Sequence, residues 1–200
     1  MIRAIIFDCF GVFYTDPVFA YMRNSQTPPD KAQALHSLDK QAARGVLSKT
    51  EFVRQAAELL GRSIEEVERQ FFFSDNRNDV LMTFAQQARK KYKIALLSNI
   101  GGDMMDGFFS EEERKVLFDV VVLSGNVKMA KPDPEIFELT LQKLDVAADE
   151  VLFIDDSKNH IEGARRVGIR SIQYSSNEQL KRELLTLELD KEMVGILEYV

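Results

Sequence analysis

Four short apolar runs, Ala4 to Phe7, Ile94 to Leu97, Val120 to Leu123 and Val151 to Ile154, each have the length of a buried strand, and none alternates with polar residues. Strands of that kind are covered on both faces, which is the habit of parallel sheets. A weaker fifth run, Ser171 to Tyr174, follows Gly168 and is where the sheet would end. Between the later runs lie helical patterns with legible ends. Asp133-Pro134 opens one that reaches about Leu144, and Lys158 to Val167 is closed by Gly168. The alternation predicts an α/β fold, a doubly wound parallel sheet with its chemistry collected at the carboxyl ends of the strands.

The stretch from about Asp16 to Lys91 breaks this rhythm with successive helix signatures and no strand. Thr27 precedes Pro28, Ser48 to Glu51 and Ser63 to Glu66 match capping boxes, and Gly45 and Gly61 sit where helices should stop. It reads as a helical insert between the first and second strands, the alternative being a single large α/β layer with long helices. The Phe71-Phe72-Phe73 cluster reads as core packing that could also face a cleft.

At 200 residues, 45% of them hydrophobic, the chain is long enough for one core and a small insert. Its single cysteine, Cys9, permits no intramolecular disulfide, so a reducing cytoplasm is the expected compartment. No apolar run approaches the length of a membrane span, and the opening residues lack the pattern of a secretory signal, so a soluble, unprocessed chain is expected. A formal charge of -6 has the wrong sign for a nucleic-acid partner.

Polar residues punctuate the ends of the apolar runs. Asp8 follows the first directly, and Ser98-Asn99 follows the second and continues into Gly101-Gly102, where backbone N–H groups can approach an anion. Lys131 stands in Lys131-Pro132-Asp133-Pro134 before a helix, where an ammonium can face a phosphate or an attacking carboxylate. Asp155-Asp156 ends the fourth run, and adjacent carboxylates repel unless a cation joins them; hard oxygen donors suit Mg2+. Taken singly, the first three also read as turn residues or a solvated lysine. In a parallel sheet they converge.

Taken in order, FDCFGVF from Phe7, LLSN from Leu96, AKPDPEIF from Ala130, and FIDD from Phe153 followed by EGARRVG resemble the four motifs of the haloacid dehalogenase superfamily over nearly the whole chain. The resemblance implies a Rossmann-like core of residues 1–15 and 89–200 and a helical cap of residues 16–88, inserted after the first motif. Carried over by position, it makes Asp8 the nucleophile, Ser98 and Asn99 the phosphate contacts, and Lys131 the charge stabiliser that also binds phosphate. Asp8, the backbone carbonyl of Phe10, Asp155 and Asp156 become the Mg2+ site, with Asp156 the more direct ligand of the acidic pair. The activity implied is phosphatase action on a small phosphorylated metabolite through an aspartyl-phosphate.

One departure stands out. Similar phosphatases carry a second Asp two residues after the nucleophile, as general acid and base, where this chain has Phe10. General acid–base help contributes about 10² to 10⁴-fold, so its loss need not abolish activity. Asp16 and Asp103 are candidate stand-ins, each also readable as an ordinary turn residue. Asn159 and His160 occupy positions where similar proteins often carry Asp or Asn; His160 could tune the site or simply start a helix. Two other readings remain: a 2-haloacid dehalogenase-like hydrolase, against which the Asp155-Asp156 pair argues, and a non-catalytic relative that binds a phosphorylated ligand.

Overall fold

A computed structural model describes residues 1–24, 26–72, 77–187 and 189–198. The apolar runs form five parallel strands, β1 (Ala4–Phe7), β2 (Lys93–Ser98), β3 (Val120–Leu123), β4 (Val151–Asp155) and β5 (Arg170–Gln173). They lie in the order β3-β2-β1-β4-β5. Alternate residues feed two separate cores. Ile5, Phe7, Leu96 and Ile154 enter one, while Ala4, Ile6, Leu97 and Phe153 enter the other. With apolar partners on both sides, no polar alternation can appear in the sequence.

The insert contains α1 (Pro17–Asn24), α2 (Pro29–Ala43), α3 (Lys49–Leu60) and α4 (Ile64–Phe72), followed by α5 (Asp79–Ala88). The Ser63 hydroxyl accepts from the Glu66 amide and the Glu66 carboxylate accepts from the Ser63 amide, a complete capping box. Ser48 makes only its half, because the Glu51 carboxylate turns to Arg54 and Gln55. Phe71 and Phe72 are buried, and Phe73 lies outside the described residues. While α1 to α4 pack on one another, α5 packs against β2 and α6 (Glu111–Leu117).

Beyond β3 come α7 (Ser124–Val127) and α8 (Pro134–Leu144), then α9 (Lys158–Arg166) after β4, with α10 (Asn177–Thr186) and α11 (Lys191–Gly195) closing the chain. Helices α8 and α9 cover one face of the sheet, and the Phe137 and Phe153 rings meet edge-on at 5.5 Å beneath them. Burying one such side chain contributes roughly 1.5–3 kcal/mol. No helix among the described residues is long and apolar enough to cross a membrane.

Core loops grip the turn between α2 and α3. The Ser124 hydroxyl donates to the Ala43 carbonyl, Lys128 Nζ donates to the Gly45 carbonyl at 2.7 Å, and the Asp103 carboxylate accepts from the Lys49 amide at 2.6 Å. Gly45, at φ +66, has no room for a Cβ, which would stand 2.4 Å from the Gly125 carbonyl oxygen. The insert is thereby held over the carboxyl ends of the strands.

Candidate functional site

The chain runs outward from β1 through β2 to β3, then returns to place β4 on the other side of β1, so the strand order reverses beside β1. Such a reversal opens a crevice at the strand ends. Phe7 pairs with Leu96 and Ile154, which brings Asp8 out level with Asp155 and puts Ser98 one residue further along β2.

Lys131 enters this crevice from the loop between α7 and α8. Its Nζ lies 2.7 Å from Asp8 Oδ1 and 2.7 Å from Asp155 Oδ2. Exposures of 5% for Asp8, 4% for Lys131 and 0% for Asp155 make this a buried array. The loop is fixed to β2 by Asn99, whose amide bonds the Lys131 backbone at both its N–H and its C=O. Asp8 is further held by the Cys9 amide, 2.7 Å from Oδ1. Asp155 accepts the Ser157 amide at 2.8 Å, and its two oxygens lie 3.1 and 3.0 Å from His160 Nδ1.

One buried ammonium cannot balance two buried carboxylates, and the pKa directions divide them. Burial works against ionised Asp155, yet Lys131 and His160 outweigh it and hold the carboxyl well below the usual range. Asp8 is pushed well above its usual value by burial and by the charge of Asp155, with Lys131 offsetting part. Burial would lower the Lys131 ammonium, but the two carboxylates carry it upward. With both carboxyls ionised the array carries an excess of negative charge that a second cation would relieve. The neighbouring Cys9 is pushed up by burial and by Asp8, so it stays a thiol in the core.

Asp156 is exposed, with its carboxylate lying against the loop that follows β1. Gly11 there has φ +79, and a Cβ on it would come within 2.3 Å of Asp156 Cγ and Oδ2. The Phe10 carbonyl oxygen accepts no hydrogen bond among the described residues. Free oxygens on Asp156 and Phe10, beside an array with surplus negative charge, fit a hard divalent cation. His160 is a further donor, since Asp8, Asp155 and His160 can each bring a ligand atom within 4.8 Å of the others. The Ser98 hydroxyl is fully buried and has no hydrogen-bond partner among the described residues. A buried donor left open at a strand end is what an absent anion would explain.

The remaining expected residues fall outside the array. Asp103 spends its carboxylate on the insert, Asn159 is exposed, and Asp16 accepts the Phe19 amide at 2.9 Å. Asp16 also lines a cavity of about 60 Å³ beside the array, walled by Phe10, Phe72 and Phe108 and including Asn99 and Asp39. The Phe10 and Phe108 rings meet edge-on at 4.8 Å. Asp39 escaped the reading of the sequence, although a signal existed: it shares the inward face of α2 with Leu35 and Ala42, where an acid is out of place.

A family model described as haloacid dehalogenase-like hydrolase matches residues 14–174, a span that starts beyond Asp8 and takes in Ser98, Asn99, Lys131, Asp155 and Asp156. D-ribitol-5-phosphate phosphatase of Bacteroides thetaiotaomicron is 28% identical over 94% of this chain and 98% of its own. Drimenol cyclase drtB of Aspergillus calidoustus is 26% identical over 94% of this chain, which spans only 37% of the cyclase. A HAD family enzyme from Bacteroides thetaiotaomicron, solved in complex with magnesium and inorganic phosphate, shares the fold with a TM-score of 0.70 at 23% identity, covering 88% of this chain and 95% of that one. With its motif residues gathered at the strand ends of that fold, and with the family model spanning residues 14–174, the chain belongs to the haloacid dehalogenase-like hydrolases.

Proposed function

We propose that the protein is a Mg2+-dependent phosphatase that passes the phosphoryl group of a small phosphorylated metabolite to Asp8 and then to water. The observation that carries this reading is the buried Asp8–Lys131–Asp155 array beside the unpartnered Ser98 hydroxyl. It supplies a carboxylate nucleophile, a fixed positive charge and an open donor within one crevice. The similarity to a ribitol-phosphate phosphatase and to a fold neighbour that holds magnesium and phosphate supports the same chemistry.

Asp8 attacks phosphorus in line and the ester oxygen leaves. Lys131 offsets charge on the transferring group, while the Ser98 hydroxyl and the remaining amide N–H of Asn99 hold its oxygens. Water then cleaves the aspartyl-phosphate. Asp8, the Phe10 carbonyl, Asp155 and Asp156 would hold Mg2+, which would supply Lewis-acid stabilisation and lower the repulsion between carboxylate and phosphate. Asp155 positions Lys131, and His160 positions Asp155. Phe10 can neither give nor take a proton, so esters with good leaving groups react fastest. The cap of this proposal is α1 to α4; α5, also within residues 16–88, goes with the core against which it packs. A buried free thiol suits a reducing compartment such as the cytoplasm.

Hydrolysis of an activated aryl phosphate tests the reading, because such a leaving group needs little protonation. Turnover should need Mg2+, stop with chelator and vanish in Asp8→Asn. No turnover under any condition would sink the phosphatase reading, and halide release from 2-haloacids would then decide for the dehalogenase alternative.

A further inference from the structure

The cavity beside the array combines features that do not suit one another unless something enters it. Phe10, Phe52, Phe71, Phe72 and Phe108 supply rings to its wall, and the same wall holds two acids, Asp16 and Asp39. The Asp16 carboxylate accepts from the Phe19 amide at 2.9 Å, with the Val18 amide also lowering its charge cost. Asp39 makes no hydrogen bond or ion pair to any described residue. Among the described residues, the cavity wall contains no lysine or arginine. Lys40, next to Asp39 in α2, and His36, which faces Asp16, are both exposed and offset only part of this charge. Lys49 lies 4.8 Å over the Phe72 ring but pairs with Glu68 at 3.2 Å. Burial and the charge of Asp16 push Asp39 up to about 7, which measures how poorly the cavity accepts an anion without a cation.

We propose that this cavity is an ammonium subsite and that the substrate is an aminoalkyl phosphate, an ester whose short tail ends in a cationic nitrogen. The inference rests on the reading that phosphate sits at Asp8. Aromatic faces and carboxylates both attract a cation, and together they recognise one better than either does alone. Asn99 links the two ends of such a ligand, since it lines the cavity and also bonds the Lys131 loop. Phe10 completes the link: two residues after Asp8, it contributes a ring to the cavity where similar phosphatases carry an acid. Charge sets the class, and the cavity of about 60 Å³ admits a short tail. A tail bearing its own carboxylate would meet two like charges.

The test is calorimetric titration of the intact protein, with Mg2+ present, against 2-aminoethylphosphonate and n-propylphosphonate. These ligands are isosteric, resist hydrolysis and differ only in a terminal ammonium or methyl. The amino ligand should bind roughly tenfold tighter or more, the usual scale for a hydrogen-bonded charge. Asp39→Asn should bring the two affinities to within about threefold of each other. Equal affinities, a preference for the propyl ligand, or binding of neither overturns the inference, as does a preference unchanged in Asp39→Asn. If that variant fails to fold, the wild-type ratio decides alone. Aryl phosphate turnover without the ratio would leave the phosphatase reading standing and remove the subsite. The ratio without turnover would do the reverse.

Discussion

Asn99 and Lys131 are joined by two hydrogen bonds of 2.9 Å, the Asn99 amide donating to the Lys131 carbonyl and the Lys131 amide donating back to Asn99 Oδ1. The pair fixes the loop carrying the buried ammonium to the end of β2. Asn99→Ala should therefore cost about 1–2 kcal/mol of stability in urea unfolding, near the net worth of two hydrogen bonds. Turnover of an aryl phosphate should fall on the order of 100-fold, because displacing Lys131 by about 1 Å misplaces its charge. Full activity beside the lost stability would mean that the ion pairs of Lys131 position it without Asn99.

Lys131→Met keeps much of the side-chain volume and removes the charge between Asp8 and Asp155. Breaking a buried pair by deleting one partner costs about 3–5 kcal/mol, so the urea midpoint should drop sharply and turnover should be lost. A midpoint within error of wild type would show that solvent or counter-ions reach the crevice freely.

Asp39 gives the protein a pH dependence of definite sign. Its native pKa of about 7 lies above the usual value of 3.8, through burial and the charge of Asp16, with Lys40 opposing. The native state therefore favours the neutral acid, and this contribution, complete below about pH 4, is lost as the pH rises through about 7. Asp39→Asn should be more stable than wild type at about pH 7.5, by at most about 4 kcal/mol, and should lose that advantage near pH 4. Parallel stability curves for the two proteins between those pH values would refute the assignment.

Gly11→Ala introduces a Cβ 2.3 Å from the Asp156 carboxylate at a backbone conformation that disfavours any side chain. Asp156 should be driven off the β1 loop, raising the Mg2+ concentration needed for half-maximal turnover by about tenfold or more. Titration of Mg2+ against activity reads this directly. An unchanged Mg2+ requirement would remove Asp156 from the metal site.

The sheet was legible because β1 to β4 each contain an unbroken apolar run, whereas β5 carries only Ile172 between polar residues and gave a weaker signal; Pro134 and Gly168 stand where their helices start and stop. The convergence of Asp8, Ser98 and Asp155 was legible for a related reason: each follows an apolar run, and parallel pairing brings those ends together, with Lys131 reaching them from the loop before α8. Side-chain partners were not. Glu51 matches a capping box but prefers Arg54, and His160 turns its Nδ1 onto Asp155, neither choice being written in spacing. The cavity was hidden because it forms between segments far apart in the chain. Phe108 is one of many phenylalanines until the loop after β2 folds it against Phe10.

Asp8, Ser98, Lys131 and Asp155 come from four segments that only the finished sheet holds side by side. No subset of the strands can present a working fragment, so the chemistry inherits the cooperativity of the core. In a denaturant titration, turnover and secondary structure should decay through one shared transition. A substitution that lowers turnover without moving that transition then acts on chemistry and leaves assembly intact.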